Sequence, residues 1–356
     1  MNRRRALLVL ALLAVAAASS LLLSLAVGSV ALAPEAVWSA LRGEGENMAV
    51  EVVRQLRLPR ALSAFACGGL LALAGALMQV LLRNPLADPY VLGISGGAAV
   101  GALAAMLLGV AAGLGMGVAA FIGALAAMGL VFGLARGEWT TPTLTVFAAP
   151  RGGAIAGLGR PGAGDGPWTQ TRLLLTGVIV AAGCGAAVAL MLTLAPDQQL
   201  RGMLFWLMGD AGEATTPLPA LLVLAAGLLL ALYFARELNL LARGALLAAT
   251  LGVNVAQLRL LLYFLASLLT ATAVTSVGSV GFIGLVVPHL VRLALGNDQR
   301  LLLPAATLAG ATLLTLADTL ARTLIAPQQL PVGVLTALIG VPVFLYLLAR
   351  APRVDA

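Results

Sequence analysis

Lysine is absent from this 356-residue chain, and all 21 of its basic residues are arginine. A phosphate-gripping Walker A loop needs a lysine to reach the β- and γ-phosphates. The chain is therefore not a P-loop ATPase by itself, and any ATP-driven activity requires a partner subunit. Histidine occurs once, at His289, and cysteine only at Cys67 and Cys184. A single histidine cannot build a His-rich metal site. The two cysteines lie in apolar runs and read as small buried hydrophobes, not as a disulfide framework or thiolate metal site. No catalytic residue, metal or cofactor is expected. Charge is scarce as well: 10% of residues are charged, against about 25% in an average soluble domain. So few charges cannot cover a water-soluble surface.

What the chain has instead is apolar length. Hydrophobic residues make up 61% before its 41 glycines are counted. A helix needs about 20 apolar residues to cross the ~30 Å hydrocarbon layer. That ruler gives ten candidate spans, near 6–32, 58–82, 91–111, 113–135, 171–194, 218–235, 257–277, 281–295, 301–320 and 333–349. The fold class is all-α, a polytopic integral membrane protein with about ten transmembrane helices in a single domain over 1–356. Arg3, Arg4 and Arg5 followed by an apolar run resemble a signal peptide. The run over 6–32 nevertheless exceeds an h-region of about 7–15 residues, so an uncleaved first helix is expected.

Arginine-rich short loops stay on the cytoplasmic side. With ten spans and both termini inside, the outside set is Arg42, Arg54, Arg57, Arg60, Arg201 and Arg322, and every other arginine lies inside. The net charge of +7 is thus explained by topology and membrane lipid, without nucleic acid, and a bacterial-type inner membrane is the expected location. Residues 34–56 read as a first outside loop. The stretch Leu200–Met208, ending in Gly209-Asp210, is too short to span and reads as a surface or re-entrant half-helix. Residues 137–168, rich in glycine and proline, read as a flexible inside loop with no assigned function. Glycines within the spans, such as Gly68, Gly75 and Gly97, suit close helix packing.

Four segments carry more information. Arg57-Leu58-Pro59-Arg60 opens the second span, with proline suited to a first turn and two arginines expected to face the outer water or to snorkel there. Gln79–Pro89 contains Asn84-Pro85-Leu86, which ends a helix sharply and makes a stiff corner at the inner mouth. Gly278–Arg292 has helix breakers at both ends of a short apolar run; His289 within it is a structural histidine or a proton relay. Ala317–Arg322 places Asp318 and Arg322 one helical turn apart, where they can pair. The other reading of Asp318 is a coupling-ion carboxylate.

In this order the segments RLPR, RNPLADPYVLG, GFIGLVVPHLVR, ADTLAR and QLPVGVLTALIGVPVF resemble the FecCD family of ABC importer permeases, from about Leu56 to Leu348. The resemblance implies a type II ABC importer permease, a homodimer with its pathway at the dimer interface. It implies two cytoplasmic ABC ATPase subunits and a periplasmic or lipid-anchored substrate-binding protein as partners. The cargo would be an iron–siderophore, haem or vitamin B12. Matched positions imply docking of the binding protein at Arg57, Arg60 and Arg322, and an inner gate at Asn84, Leu86, Gln170 and Thr171. They also imply ATPase coupling through residues 238–256, with Leu240, Arg243, Gly244, Leu251 and Gly252. Family members commonly carry LG-E near the first turn of that segment. Arg243-Gly244-Ala245 stands there here, which changes the charge offered to the ATPase. A rival reading is a proton- or sodium-coupled secondary transporter using Asp318 or His289.

Overall fold

The computed structural model describes residues 3–28, 32–44, 47–110, 115–136, 170–212, 216–326 and 328–350. The 137–168 loop lies outside the described residues. The described elements are helical throughout: α1 (Arg3–Ala26), α2 (Pro34–Arg42), α3 (Asn47–Glu51) running through a π-helical turn (Val52–Arg57) into α4 (Leu58–Leu81), a 3-10 turn (Pro89–Leu92), α5 (Ile94–Leu107), α6 (Gly115–Arg136), α7 (Gln170–Leu194), α8 (Asp197–Met208), α9 (Leu218–Tyr233), α10 (Ala235–Arg243), α11 (Ala245–Thr250), α12 (Val255–Val277), α13 (Ile283–Leu295), α14 (Gln299–Thr323) and α15 (Val332–Arg350).

Each expected span has its helix. Six are long and apolar enough to cross a membrane, α9 and α10 form a seventh candidate bent by 64°, and α5, α13 and α15 are shorter apolar helices. The chain is a multi-pass membrane protein. Helix α4 is the axis of the bundle, packed by α14, α12, α13, α9 and α1. Glycine makes this possible, because lipid offers no hydrophobic drive and helices are held by close contact. A Cβ at Gly75 would overlap the carbonyl of Gly284 on α13, and one at Gly68 that of Gly310 on α14.

The segment 34–56 is not the loop expected from its polar residues. It folds as α2 and α3, and Val37, Ala40 and Val53 form a small apolar cluster with Leu25 and Ala61. Proline in the first turn and left-handed Gly43 (φ 82°) delimit α2, the signals that start and stop a helix. The half-helix after the fifth span is present as α8.

Two spans are broken, and the breaks meet. Helices α5 and α13 cover only part of the hydrocarbon layer because irregular backbone precedes each: the Pro89–Leu92 turn before α5, and 278–282 before α13. Irregular backbone at membrane depth requires partners from the protein. The Tyr90 hydroxyl donates to the Val280 carbonyl at 2.9 Å and accepts from the Val280 N–H at 3.1 Å. The Ser95 and Ser279 hydroxyls lie 2.6 Å apart. One tyrosine thus satisfies both backbone groups of Val280.

Candidate functional site

The end of the bundle expected to face outside holds a buried ion cluster. Arg60, one turn into α4, lays its guanidinium against Asp318 of α14, with Nε 3.1 Å from both carboxylate oxygens and Nη2 2.9 Å from Oδ1. Its Nη1 donates to Gln329 Oε1 at 2.7 Å, and Nη2 reaches Asp210 at 3.4 Å. Arg322 approaches the other face of Asp318 at 3.2 Å and donates from Nη2 to the Ser24 carbonyl and hydroxyl at 3.1 and 2.9 Å. Arg57 donates to the carbonyls of Leu25 and Ala26 at 2.8 and 3.1 Å, at the C-terminal end of α1. Helix C-termini present unpaired carbonyls and the negative end of the macrodipole, so Arg57 caps α1.

This corrects the expected orientation of the three arginines. Arg57, Arg60 and Arg322 are only 6, 8 and 7% exposed, and Asp318 is 0% exposed. They turn inward and do not snorkel. The physical reason is that long-range carbonyls and a carboxylate supply what interfacial water would. Of the arginines expected outside, Arg42, Arg54 and Arg201 are the exposed ones. The intrahelical Asp318–Arg322 pair is present, yet the sequence reading missed the stronger partner, Arg60. It also missed Asp210 and Gln329, although both lie in stretches singled out for other reasons. His289 is half-buried on α13, with Arg292 one turn further along.

At the opposite end, Asn84 and Leu86 are exposed on the corner after α4. Asn84 Oδ1 accepts the Leu86 N–H at 2.9 Å, and Ala87 N–H closes on the Asn84 carbonyl at 3.1 Å, so the corner is internally braced. Asp88 follows and accepts from Tyr90 N–H at 2.7 Å. Burial pushes its carboxyl up to about 6, against the lowering effect of that hydrogen bond. Helix α7 packs alongside α5, with Gly93 against Val180 and Ala181, and Gly96 against Cys184. That packing puts Gln170, which opens α7, and exposed Thr171 at the corner's end of the molecule.

The 238–256 segment divides as its glycines suggest. Gly244 (φ 144°) separates α10 from α11, and Gly252 (φ 85°) ends α11. Helix α10 starts three residues before the expected segment, at Ala235, and buries Leu238 and Leu241. Helix α11 projects: Leu246 is 77% and Leu251 59% exposed. Leu240, Leu251 and Gly252 come together on a cleft of about 490 Å³ with Arg236, Glu237 and Asn254. Arg243 lies outside that cleft, exposed at the end of α10.

Together these features define a helical membrane-spanning body with a braced corner at one end and a projecting two-helix segment. The chain belongs to the FecCD transport family, which it matches over residues 12–158 and 145–350. It is 43% identical over 299 residues to the hemin transport system permease protein HmuU of Yersinia pestis, covering 83% of this chain and 82% of that one. It is 35% identical over 335 residues to the vitamin B12 import system permease protein BtuC of Escherichia coli O17:K52:H18, covering 94% and 92%. Among solved structures, an ABC transporter assigned to the metal-chelate type, in an inward-facing conformation, superposes with a TM-score of 0.77 at 29% identity, covering 97% of this chain and 99% of that one. The fold is the type II ABC importer permease fold. The chain is an ABC transporter permease subunit, not itself an ATPase, and works with ATPase and binding-protein partners.

Proposed function

We propose that this permease imports a bulky metal chelate by alternating access at a homodimer interface, with both termini cytoplasmic. The observation that carries the reading is the 43% identity to a permease of hemin transport, beside relatives that import vitamin B12. Haemin is therefore the first cargo to test; cobalamin and ferric siderophores are the alternatives within the class.

The binding protein docks on the outer end. Arg42, Arg54 and Arg201 offer exposed charge there, which steers association. Arg60 and Arg322 lie beneath as a fixed base, and the Asp210 contact of Arg60, its longest at 3.4 Å, is the one that a partner's carboxylate can replace. Arg57 holds α1 against this base. Asn84, Leu86, Gln170 and Thr171 form the inner gate. Leu240, Leu251 and Gly252, with Arg243 and Gly244 beside them, couple to the ATPase through the apolar tip of α11.

The test is reconstitution in liposomes with the ATPase and binding protein, following uptake of haemin, cyanocobalamin and a ferric siderophore. ATP-dependent accumulation of one of the three is expected. Accumulation by the permease alone, driven by a proton or sodium gradient, would overturn the reading. Leu246→Glu with Leu251→Glu should release the ATPase while leaving the permease folded, because both side chains are exposed.

A further inference from the structure

The first turn of α14 is fastened to α10 by a side chain outside its own helix. Asn239, in the middle of α10, donates from Nδ2 to Asp298 Oδ1 at 2.9 Å. Its Oδ1 accepts the backbone N–H of Gln299 at 2.9 Å. Asp298 is the N-cap of α14 and accepts the Arg300 N–H at 3.1 Å through the same oxygen. The first N–H groups of a helix have no partner within the helix, and here α10 supplies one. Asn239 therefore serves as a second, tertiary cap.

The position of this hook gives it mechanical meaning. Leu238 and Leu241 beside Asn239 are buried, so α10 sits firmly on the permease body, while α11 projects. Pro304 lies five residues beyond Gln299 inside α14; lacking an N–H, it leaves the Arg300 carbonyl without its intrahelical partner. The turn gripped by Asn239 is thus less firmly held by its own helix. Beyond it, α14 runs along α4 to Asp318 and Arg322, about 28 and 34 Å from Gln299 at 1.5 Å per residue. A displacement of α10 is delivered to the start of the helix whose far end holds the outer ion cluster.

We propose that Asn239 is a positioning residue for transport: with Asp298 it locks the coupling segment in register with α14, so that nucleotide-driven movement of α10 and α11 moves α14. This rests on the reading of residues 238–256 as the ATPase-coupling segment. The geometry also supplies a role exchange. Asn239→Asp sets two carboxylates against each other and breaks the hook. Asn239→Asp combined with Asp298→Asn rebuilds it, since the amide introduced at position 298 then donates to a carboxylate at position 239 that still accepts the Gln299 N–H.

The experiment is hydrogen–deuterium exchange on the permease–ATPase complex, with and without ATP and vanadate, read at α10–α11 and at Gln299–Leu303. In the wild type both segments should respond to nucleotide. In Asn239→Asp, exchange at Gln299–Leu303 should rise about tenfold, on the order of one lost hydrogen bond, and its nucleotide response should vanish while that of α10–α11 remains. The double variant should restore the response. A wild-type response at Gln299–Leu303 in the single variant, or no rescue in the double variant despite normal ATPase assembly, would overturn the role of Asn239. A wild-type complex with no response at α10–α11 would instead remove the coupling reading, and the proposal with it.

Discussion

Replacing Asp318 with asparagine keeps the shape of the side chain and removes the charge at the centre of the outer cluster. Arg60 and Arg322, 8 and 7% exposed, would then face each other across a neutral amide. Removing one partner of a buried ion pair costs about 3–5 kcal/mol, because the remaining charge cannot return to water. Arg60 keeps Gln329 and Asp210, and Arg322 keeps Ser24, so we expect the lower end, about 3 kcal/mol. Cys67 provides the assay: it is 0% exposed, and a thiol-reactive dye reports its release on unfolding in detergent, with Cys184→Ala to silence the half-buried second thiol. Asp318→Asn should melt well below the parent. Adding Arg322→Gln removes one of the stranded cations and should recover part of the loss, since residues sharing one ion cluster couple by about 0.5–3 kcal/mol. A single variant as stable as the parent, or a double variant no better than the single, would refute the view that Asp318 holds this end together. A coupling carboxylate predicts the opposite phenotype, a stable protein that does not transport.

The same melting assay checks two packing arguments. Gly75→Ala drives a methyl into the Gly284 carbonyl, where backbone cannot yield, and should cost about 1–3 kcal/mol; an unchanged melt would mean that α4 and α13 are not in close contact. Tyr90→Phe strands the N–H and C=O of Val280 inside the bundle and should cost about 2–6 kcal/mol, taking about 1–3 for each unsatisfied group; Ser95→Ala should cost less. Asp88 gives a pH signature. Its folded carboxyl is raised to about 6 from 3.8, so between those values the native state binds more protons than the unfolded chain. Its contribution to stability is present below the lower value and is lost as pH rises through 6. Asp88→Asn should therefore melt progressively higher than the wild type as pH is raised from 4 to 7, and parallel curves would contradict the burial.

Much of the architecture was legible because membrane insertion reads local composition. The second, fifth, seventh and tenth expected spans match α4, α7, α12 and α15 to within two residues at each end. Gly244 and Gly252 marked the division of residues 238–256 into two helices, and Pro85 the end of α4. What failed did so where tertiary partners override a local signal. The polar segment 34–56 folds because α1 and α4 give Val37, Ala40 and Val53 something to pack on. The third span is shorter than its apolar run, because the Tyr90 hydroxyl satisfies the Val280 backbone from the other half of the chain and holds the turn before α5 in irregular form. The burial of Arg57, Arg60 and Arg322 was invisible in the sequence, because their partners lie far away along the chain.

Hydrophobicity accumulates along a window, and arginine bias acts on neighbouring loops, so membrane residence, span number, expected topology and the need for an external ATPase all follow from residue order. Ion pairing depends on coordinates, not on order. Arg60 and Asp318 stand 258 residues apart, and Asn239 caps a helix that begins 60 residues later. Only the packed bundle brings such groups within 3 Å, and only there does it become clear that Arg57, Arg60 and Arg322 are held from inside and that α10 is tied to α14.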